Sequence, residues 1–196
     1  MLGYLIGSIP TAYLLVMWKA RLDIRGAGSG NVGALNAFDV SGSKLLGASV
    51  LLIDLAKGSA AVLLGSRLFG HDHWTLGIAG LGSIAGHNYS VWLRFKGGRG
   101  LATAAGVMLV VNWMLVALWC IVWIAFQAYA RNVHVSNISA SILSPAITIP
   151  ALRNLRPAPD GAAADMTLLM SLICLLILLR HLHYFKELRK AFHKSH

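Results

Sequence analysis

The chain has 196 residues, of which 57% are hydrophobic and only 12% are charged. A soluble domain usually carries about 25% charged residues, so this composition excludes an ordinary soluble protein and indicates an integral membrane protein. Seventeen Lys and Arg against seven Asp and Glu give a formal net charge of +10. The cations lie in short loops between apolar runs, which favours contacts with anionic lipid and small anions over nucleic acid.

Six apolar runs predict the membrane-spanning helices. They cover roughly residues 1–18, 45–69, 74–93, 101–130, 138–152 and 165–180. A helix crosses the hydrocarbon core in about 20 residues, so most runs predict one crossing each. The run 101–130 is longer and contains Asn112-Trp113, which predicts two short helices with a turn between them. We therefore expect an all-α membrane protein, a seven-helix transmembrane bundle with short glycine-rich loops, in a single domain over residues 1–196.

Small residues within the first run indicate close helix packing. Gly3 and Gly7 are four apart, and Pro10 removes a hydrogen bond that neighbouring helices must compensate. A similar stripe lies in the run 74–93 and consists of Gly77, Gly80 and Ser83.

A glycine-rich segment follows the first run, from Arg25 to Asn36. Glycines let the backbone turn tightly and direct its N–H groups at one point, and Arg25 adds positive charge, so the segment suits a phosphate oxyanion. Its pattern also matches a dinucleotide-binding fingerprint, but that motif needs a strand–helix–strand unit that this chain does not predict. The candidate residues are Gly28, Ser29, Gly30, Asn31, Gly33 and Asn36.

Asp54 and Lys57 lie three residues apart inside an apolar run. This spacing places them on one helix face, where they can form an ion pair. A charge in the middle of a span costs roughly 2.5–3.5 kcal/mol on insertion scales. We therefore expect the ion pair to have a structural or functional role. It can orient the helix, support a functional site, or do both.

A second glycine-rich segment begins near His87, at the end of an apolar run, and continues from Phe95 to Gly100. It repeats the combination of flexible backbone and positive charge found in the first segment. The candidate residues are His87, Lys96, Gly97, Gly98 and Arg99. We expect the two glycine-rich segments to meet in space and to hold phosphorylated ligands together.

Further candidates lie towards the C-terminus. Ser136 and Ser139 can donate hydrogen bonds to a phosphate or cap a helix beginning there, and His181 follows Arg180 at the end of an apolar run. Residues 153–165 predict an external loop, and residues 181–196 predict a basic, amphipathic cytoplasmic tail.

The distribution of cations predicts the orientation. With seven crossings and an external N-terminus, thirteen Lys and Arg fall on one side of the membrane and three on the other. Because cytoplasmic loops carry the excess of positive charge, we expect a multi-pass protein of the bacterial inner membrane with a cytoplasmic C-terminus. Six crossings would move 131–137 and the basic C-terminus to the outside.

Several chemistries are not predicted. Cysteine, histidine and carboxylate residues show no metal-ligand spacing, and the patterns for an acyl-serine enzyme or a P-loop are absent. No His is followed five positions later by Asp. We therefore predict neither a metal nor a cofactor.

Five motifs together resemble one family. They are Gly7-Ser8-Ile9-Pro10, Gly28-Ser29-Gly30-Asn31-Val32-Gly33-Ala34, Asp54-Leu55-Ala56-Lys57-Gly58, Gly86-His87-Asn88-Tyr89 and Phe95-Lys96-Gly97-Gly98-Arg99-Gly100. Their order and spacing resemble the bacterial acyl-phosphate:glycerol-3-phosphate acyltransferase family (PlsY), from residue 3 to about residue 185.

The resemblance implies transfer of a fatty acyl group from acyl phosphate to the sn-1 hydroxyl of glycerol 3-phosphate, giving lysophosphatidic acid and phosphate. On this basis we expect a catalytic group of His87, Ser29, Asn31, Arg99 and Ser139. Substrate-binding residues are then Gly28, Gly30, Gly33, Asn36, Lys96, Gly97, Gly98, Ser136 and His181, with Asp54 and Lys57 as orienting residues.

The chain also departs from the family pattern. Thr, Arg and Asn are usual where this chain has Leu35, Asp39 and Tyr184, and Pro and Lys are usual at Ser90 and Arg99. Asp39 reverses a charge beside a predicted phosphate site. These departures leave open a family member that binds lipid phosphates without turnover. Polar residues within the spans leave open a second alternative, a transporter of phosphate or organic anions.

Overall fold

The structure is a computed structural model that describes residues 1–155 and 162–194, with side chains described within 1–152 and 163–182. Over these residues all regular structure is helical, in agreement with the predicted all-α class. The helices are α1 (Leu2–Ser8), α2 (Thr11–Ala20), α3 (Ala34–Ser41), α4 (Lys44–Phe69), α5 (His73–Asn88), α6 (Leu101–Ala130), α7 (Val133–Leu155) and α8 (Ala162–Lys194). Short 3₁₀ turns occur at Ile24–Gly26 and Val91–Leu93.

Four of these helices are long and apolar enough to cross a membrane. They are α4, α6, and the stretches Val133–Leu152 of α7 and Ala163–Leu182 of α8. The first apolar run instead forms two short helices separated at Pro10, and α5 has only 16 residues. The chain is thus a helical membrane protein, and the predicted number of seven crossings stays a prediction.

The long apolar run 101–130 contains the break that its sequence predicted. The backbone at Asn112 leaves the helical region, with φ −163° and ψ 110°, inside α6. The chain divides at this point into two compact units, residues 1–112 and 113–196.

Glycines allow the helices of the first unit to touch through their backbones. A side chain at Gly7 would overlap the carbonyl oxygen of Ser83 on α5, as one at Gly86 would overlap that of Tyr4 on α1. The α4–α6 contact is equally close, since a Cβ at Gly58 would collide with the Thr103 carbonyl. The predicted packing role of the small residues in the first apolar run is confirmed.

A small hydrophobic core lies beneath the first glycine-rich segment. Val16 of α2, Ala37 of α3 and Val50 of α4 are fully buried there, as is Ile24 just before the segment. Val32, between Gly30 and Gly33, is 3% exposed. Burying these side chains anchors both ends of a loop that would otherwise be mobile.

In the second unit, α7 packs against α8. The side chain of Asn132 caps α7, because its Oδ1 accepts hydrogen bonds from the backbone N–H groups of His134 and Val135 at 2.9 and 3.2 Å. The helix therefore begins earlier than expected, and Ser136 and Ser139 lie within it rather than at its cap.

The predicted loop and tail are only partly covered by the description. Helix α7 continues to Leu155 and α8 begins at Ala162, so both ends of the predicted loop 153–165 are helical and 156–161 lie outside the described residues. Residues 181–194 continue α8, while the side chains from 183 onwards, including Tyr184, lie outside the described residues.

Candidate functional site

Asn36 holds the first glycine-rich segment together. Its buried side-chain Oδ1 accepts a hydrogen bond from the Ser29 backbone N–H at 2.9 Å. Its Nδ2 lies 2.9–3.3 Å from three carbonyl oxygens, those of Ile24, Ala27 and Asn31. A single buried amide thus satisfies backbone groups across the loop, which fixes the loop's shape.

The loop's glycines are required by its backbone conformation. Gly28 and Gly30 have φ of 57° and 68°, in the left-handed region that other residues rarely adopt. A Cβ at Gly28 would also overlap Oδ1 of Asn36. Ser29 between them is exposed and Asn31 is half-buried, so both are available at the loop surface.

Arg25 is held at the start of this loop by Asp23. Its guanidinium Nη2 lies 2.6 Å from a carboxylate oxygen of Asp23, and its charge lies 5.0 Å from the centre of the Tyr13 ring. The side-chain hydrogen bond from Arg25 lowers the pKa of Asp23, and the same bond raises the pKa of Arg25. The guanidinium of Arg25 is therefore already paired with a carboxylate at the start of the loop.

The second glycine-rich segment folds back onto the end of α5. The N–H groups of Gly97 and Gly98 donate to the carbonyls of Asn88 and His87 at 3.1 and 3.0 Å. These bonds satisfy carbonyl groups that a helix end leaves without partners. Glycine is needed here because a Cβ at Gly97 would collide with the His87 carbonyl oxygen.

Two residues of this turn are in the left-handed region without being glycine. Arg94 and Phe95 have φ of 52° and 62°, and the Phe95 N–H donates to the Ser90 carbonyl at 2.8 Å. Such a conformation costs of order 1–3 kcal/mol per residue, so the surrounding hydrogen bonds must hold the turn in place. Lys96, next in the chain, is exposed, and Arg99 is half-buried.

The two glycine-rich segments meet at Gly98. A Cβ at this position would lie 2.6 Å from the Val32 carbonyl oxygen of the first segment and would overlap Nε2 of His87. Gly98 is thus in contact with both, and the absence of a side chain makes the approach possible. The predicted convergence of the two segments is confirmed.

Asp54 and Lys57 form the predicted ion pair, directly beneath His87. Lys57 Nζ lies 2.7 Å from Asp54 Oδ1, and Nδ1 of His87 lies 3.6 Å from the same oxygen. All three side chains are buried. Lys57 Nζ also donates to the Ile9 carbonyl at 2.9 Å, so the pair joins α4 to the break between α1 and α2.

A small cavity lies between these groups. Lys57, His87, Gly97 and Gly98 line it on one side, and Ser8 and Thr11 line it at the break between α1 and α2. The centre of a water molecule has about 10 Å³ in which to move there, close to the room that one bound water needs.

The second unit contains a polar network of its own. Nδ1 of His181 lies 2.9 Å from the Ile177 carbonyl, which only accepts, so Nδ1 carries the proton and Nε2 accepts from Asn137 Nδ2 at 3.3 Å. Trp123 Nε1 donates to Asn137 Oδ1 at 2.7 Å. Ser136 is buried, with its Oγ 2.8 Å from Gln127 Oε1, and Ser139 is half-buried.

The predicted site residues thus fall into two groups. The structure brings His87 and Gly98 together with the first glycine-rich segment, and places Asp54 and Lys57 next to His87. Ser136, Ser139 and His181 belong to the second unit, and their contact with substrate stays a prediction.

The sequence did not identify Ser8 and Thr11 as candidates. Both line the cavity, and both hydroxyls are buried without a hydrogen-bond partner among the described residues. Ser8 had a signal in the family-like motif Gly7-Ser8-Ile9-Pro10, whereas Thr11 had only its position next to Pro10 in an apolar run.

Comparison with known proteins gives a consistent result. The model of the family described as glycerol-3-phosphate acyltransferase matches residues 1–191. A glycerol-3-phosphate acyltransferase of Rhodopseudomonas palustris (strain HaA2) is 40% identical over 145 residues, which are 74% of this chain and 72% of the relative. Glycerol-3-phosphate acyltransferase 4 of Dehalococcoides mccartyi (strain CBDB1) is 51% identical over 109 residues, 56% of this chain and 46% of the relative.

A solved structure is also similar over nearly the whole chain. It is the crystal structure of PlsY (YgiH), an integral membrane glycerol 3-phosphate acyltransferase, in its glycerol 3-phosphate form, with a TM-score of 0.79 and 33% identity. The similarity covers 96% of this chain and 89% of that one. By the family model, the sequence identity and this structural similarity, the chain belongs to the glycerol-3-phosphate acyltransferase family.

Proposed function

We propose that this protein transfers a fatty acyl group from acyl phosphate to the sn-1 hydroxyl of glycerol 3-phosphate in the bacterial inner membrane. The observation that carries the proposal is the contact of the two glycine-rich segments at Gly98, beside the His87 ring. Membership of the acyltransferase family and the glycerol 3-phosphate form of the solved relative support the acceptor. The acyl-phosphate donor and the sn-1 position rest on the motif resemblance.

In this proposal the two segments bind the phosphate groups of the substrates. Ser29 and Asn31 offer side-chain donors, and Gly30 allows close approach to the backbone, on a loop that Asn36 keeps in shape. Lys96 and Arg99 add positive charge, and Gly98 adds a backbone that a ligand can approach closely. Donors fixed before the substrate arrives stabilise developing negative charge without reorganisation during the reaction.

The chemical step needs little from the protein because an acyl phosphate is already activated. The sn-1 oxygen attacks the acyl carbonyl carbon, forming the ester bond, and the bond from that carbon to the phosphate oxygen breaks. The proton of the hydroxyl moves to the departing phosphate. Holding two anions in the correct orientation can supply about 7–11 kcal/mol of the barrier.

His87 has a positioning role in this scheme. Its Nδ1 faces Asp54 and its Nε2 faces Gly98, so the ring is oriented towards the phosphate-binding segments. A His87→Ala variant that loses the basic limb of the rate–pH profile would contradict proton transfer to the phosphate oxygen and assign the base to His87.

The remaining predicted residues extend the proposal to the second unit and the membrane. We propose that Ser136, Ser139 and His181 contribute to substrate binding, that no cofactor is needed, and that the N-terminus is external and the C-terminus cytoplasmic. Alanine variants of Ser139 and His181 then lower turnover of glycerol 3-phosphate.

The test is phosphate release by the purified protein in detergent or nanodiscs. We expect phosphate release from acyl phosphate that depends on glycerol 3-phosphate, with lysophosphatidic acid as the second product. Binding of both substrates without release would instead favour the family member without turnover. Uptake of glycerol 3-phosphate or phosphate into sealed vesicles, without ester formation, would favour the transporter.

A charge reversal at position 39 tests whether Asp39 weakens the binding of glycerol 3-phosphate. Asp39 is exposed on α3, three residues after Asn36, where its carboxylate repels a phosphate dianion. We expect Asp39→Arg to lower KM for glycerol 3-phosphate by roughly threefold to tenfold, equivalent to about 0.6–1.4 kcal/mol. Asp39→Asn should give an intermediate value, and steady-state kinetics at low and high salt checks both.

An unchanged KM in both variants would show that position 39 does not face the substrate. In that case the departure from the family pattern at Asp39 has no bearing on turnover.

A further inference from the structure

The cavity at the break between α1 and α2 has polar groups that the proposed phosphate binding does not use. Ser8 is fully buried and Thr11 is 4% exposed, and neither hydroxyl has a hydrogen-bond partner within the described residues. Buried hydroxyls without partners cost free energy, so an apolar residue would be the more stable choice unless something binds there.

Lys57 brings a further donor to the same cavity. An ammonium group has three N–H donors, and two of these are directed at Asp54 and at the Ile9 carbonyl. One donor therefore remains for a ligand. Together with the two hydroxyls, which both donate and accept, the cavity suits a neutral oxygen that also does both.

The size of the cavity limits what it can hold. Its roughly 10 Å³ admit one oxygen-sized group, which is too little for a phosphate with its four oxygens. It is also too little for a reacting hydroxyl together with the acyl carbonyl that it attacks. A substrate hydroxyl bound there is therefore one that does not react.

The position of the cavity indicates which molecule carries this hydroxyl. Val32 of the first glycine-rich segment and Gly97 and Gly98 of the second form part of its wall. A ligand with its phosphate on these segments and a hydroxyl a few bonds away can reach both. Glycerol 3-phosphate has this arrangement, with one hydroxyl that accepts the acyl group and a central one that does not.

We propose that the cavity binds the central, non-reacting hydroxyl of glycerol 3-phosphate, with Ser8 and Thr11 as specificity-determining residues. The inference rests on the proposed function, because it assumes glycerol 3-phosphate as the acceptor. It adds that the break at Pro10 serves recognition, since it places two hydroxyls at the end of one helix and the start of the next.

The experiment compares two acceptors, glycerol 3-phosphate and 3-hydroxypropyl phosphate, which lacks only the central hydroxyl. Sites built to hydrogen-bond a hydroxyl discriminate against analogues without it, because their polar groups are left unpaired. We expect the wild-type protein to prefer glycerol 3-phosphate in kcat/KM by ~10-fold or more.

The variants Thr11→Val and Ser8→Ala should each reduce this preference by roughly fivefold. Thr11→Ser keeps the hydroxyl and should retain the preference. Thr103→Val is the matched control, since Thr103 is another buried hydroxyl without a described partner but does not line the cavity. A preference ratio is unaffected by a general loss of stability, and Ser8→Ala serves if Thr11→Val does not fold.

Three results would overturn the inference. A wild-type protein without preference shows that the central hydroxyl is not recognised. Thr11→Val and Ser8→Ala variants with the full wild-type preference show that the cavity holds only a structural water. No turnover of either acceptor by the wild-type protein removes the proposed function itself, and with it this inference.

Discussion

The side chain of Asn36 illustrates how one residue determines the shape of a loop. Its amide contacts the Ser29 N–H and carbonyls of both halves of the first glycine-rich segment. From the sequence, the position of Asn36 after the glycines favours direct contact of its side chain with the phosphate. The structure supports an indirect role, in which Asn36 positions the loop's own donors.

Replacement of Asn36 by Ala tests that role. The change leaves buried backbone groups unpaired, at about 1–3 kcal/mol for each, so thermal unfolding in detergent should occur at a clearly lower temperature. Asn31→Ala, on the half-buried surface of the same loop, should lower turnover without this loss of stability. Equal melting temperatures for the two variants would contradict the positioning role of Asn36.

The buried pair of Asp54 and Lys57 predicts strongly non-additive effects. Their side chains are 3% and 5% exposed, so removing one partner leaves a buried charge without its counter-charge, which typically costs about 3–5 kcal/mol. Replacing both partners with apolar residues of similar size avoids that cost.

We therefore expect Lys57→Met and Asp54→Leu each to be more destabilising than the double variant. Thermal unfolding of the two single variants and the double variant measures the coupling. Additive losses would show that the pair contributes no mutual stabilisation.

At the scale of whole elements, capping residues determine where the helices begin. Asp72 accepts hydrogen bonds from the N–H groups of Trp74 and Thr75 at 3.1 and 3.0 Å, and Thr75 Oγ1 also donates to it at 2.6 Å. Ser43 caps α4 through a bond from the Leu46 N–H at 3.3 Å. Both caps satisfy N–H groups that the first helical turn leaves without partners.

The cap at Asp72 predicts a pH dependence that the cap at Ser43 does not share. The hydrogen bonds from Thr75 and Trp74, that from the Thr75 side chain first, lower the pKa of Asp72 in the folded protein. Its stabilising effect is therefore fully present above the unfolded value of about 3.9 and is lost as the pH falls through the lower folded value.

The difference in melting temperature between wild type and Asp72→Ala should accordingly shrink below about pH 4. For Ser43→Ala the difference should stay constant over the same range, since a serine hydroxyl does not titrate. A constant difference for Asp72→Ala as well would mean that its carboxylate does not act as the cap.

At the scale of the whole molecule, the distribution of cations predicts a single orientation in the membrane. The segment 19–44 is on the predicted cytoplasmic side and the turn before α5 is on the predicted external side. Gly26 and His73 are exposed, and a Cβ at Gly26 contacts nothing within 4 Å. After replacement of Cys120 and Cys174 by Ala, a single cysteine at Gly26 or His73 shows which side of the membrane that position faces.

A membrane-impermeant maleimide added to intact spheroplasts should label His73→Cys and leave Gly26→Cys unlabelled until the membrane is opened. Inverted vesicles should show the reverse pattern. Labelling of both positions from the same side would rule out the proposed topology, because an odd number of crossings must separate them.

The sequence alone determined the class of the protein and much of its candidate site. Apolar runs of this length indicate a helical membrane protein, because a helix satisfies all backbone N–H and C=O groups within one segment, where lipid offers no hydrogen-bond partner. The Asp54–Lys57 pair follows from the spacing of one helical face, and the break at Asn112 follows from the length of its run. The candidate phosphate-binding segments follow from glycine beside positive charge.

Tertiary structure decided what lies between distant segments. The contact of Gly98 with Val32 and His87, and the bond from Lys57 to Ile9, join residues that are far apart in the chain. Local periodicity carries no information about such contacts. For the same reason Ser8 and Thr11 became candidates only when the fold placed them around one cavity with Lys57 and His87.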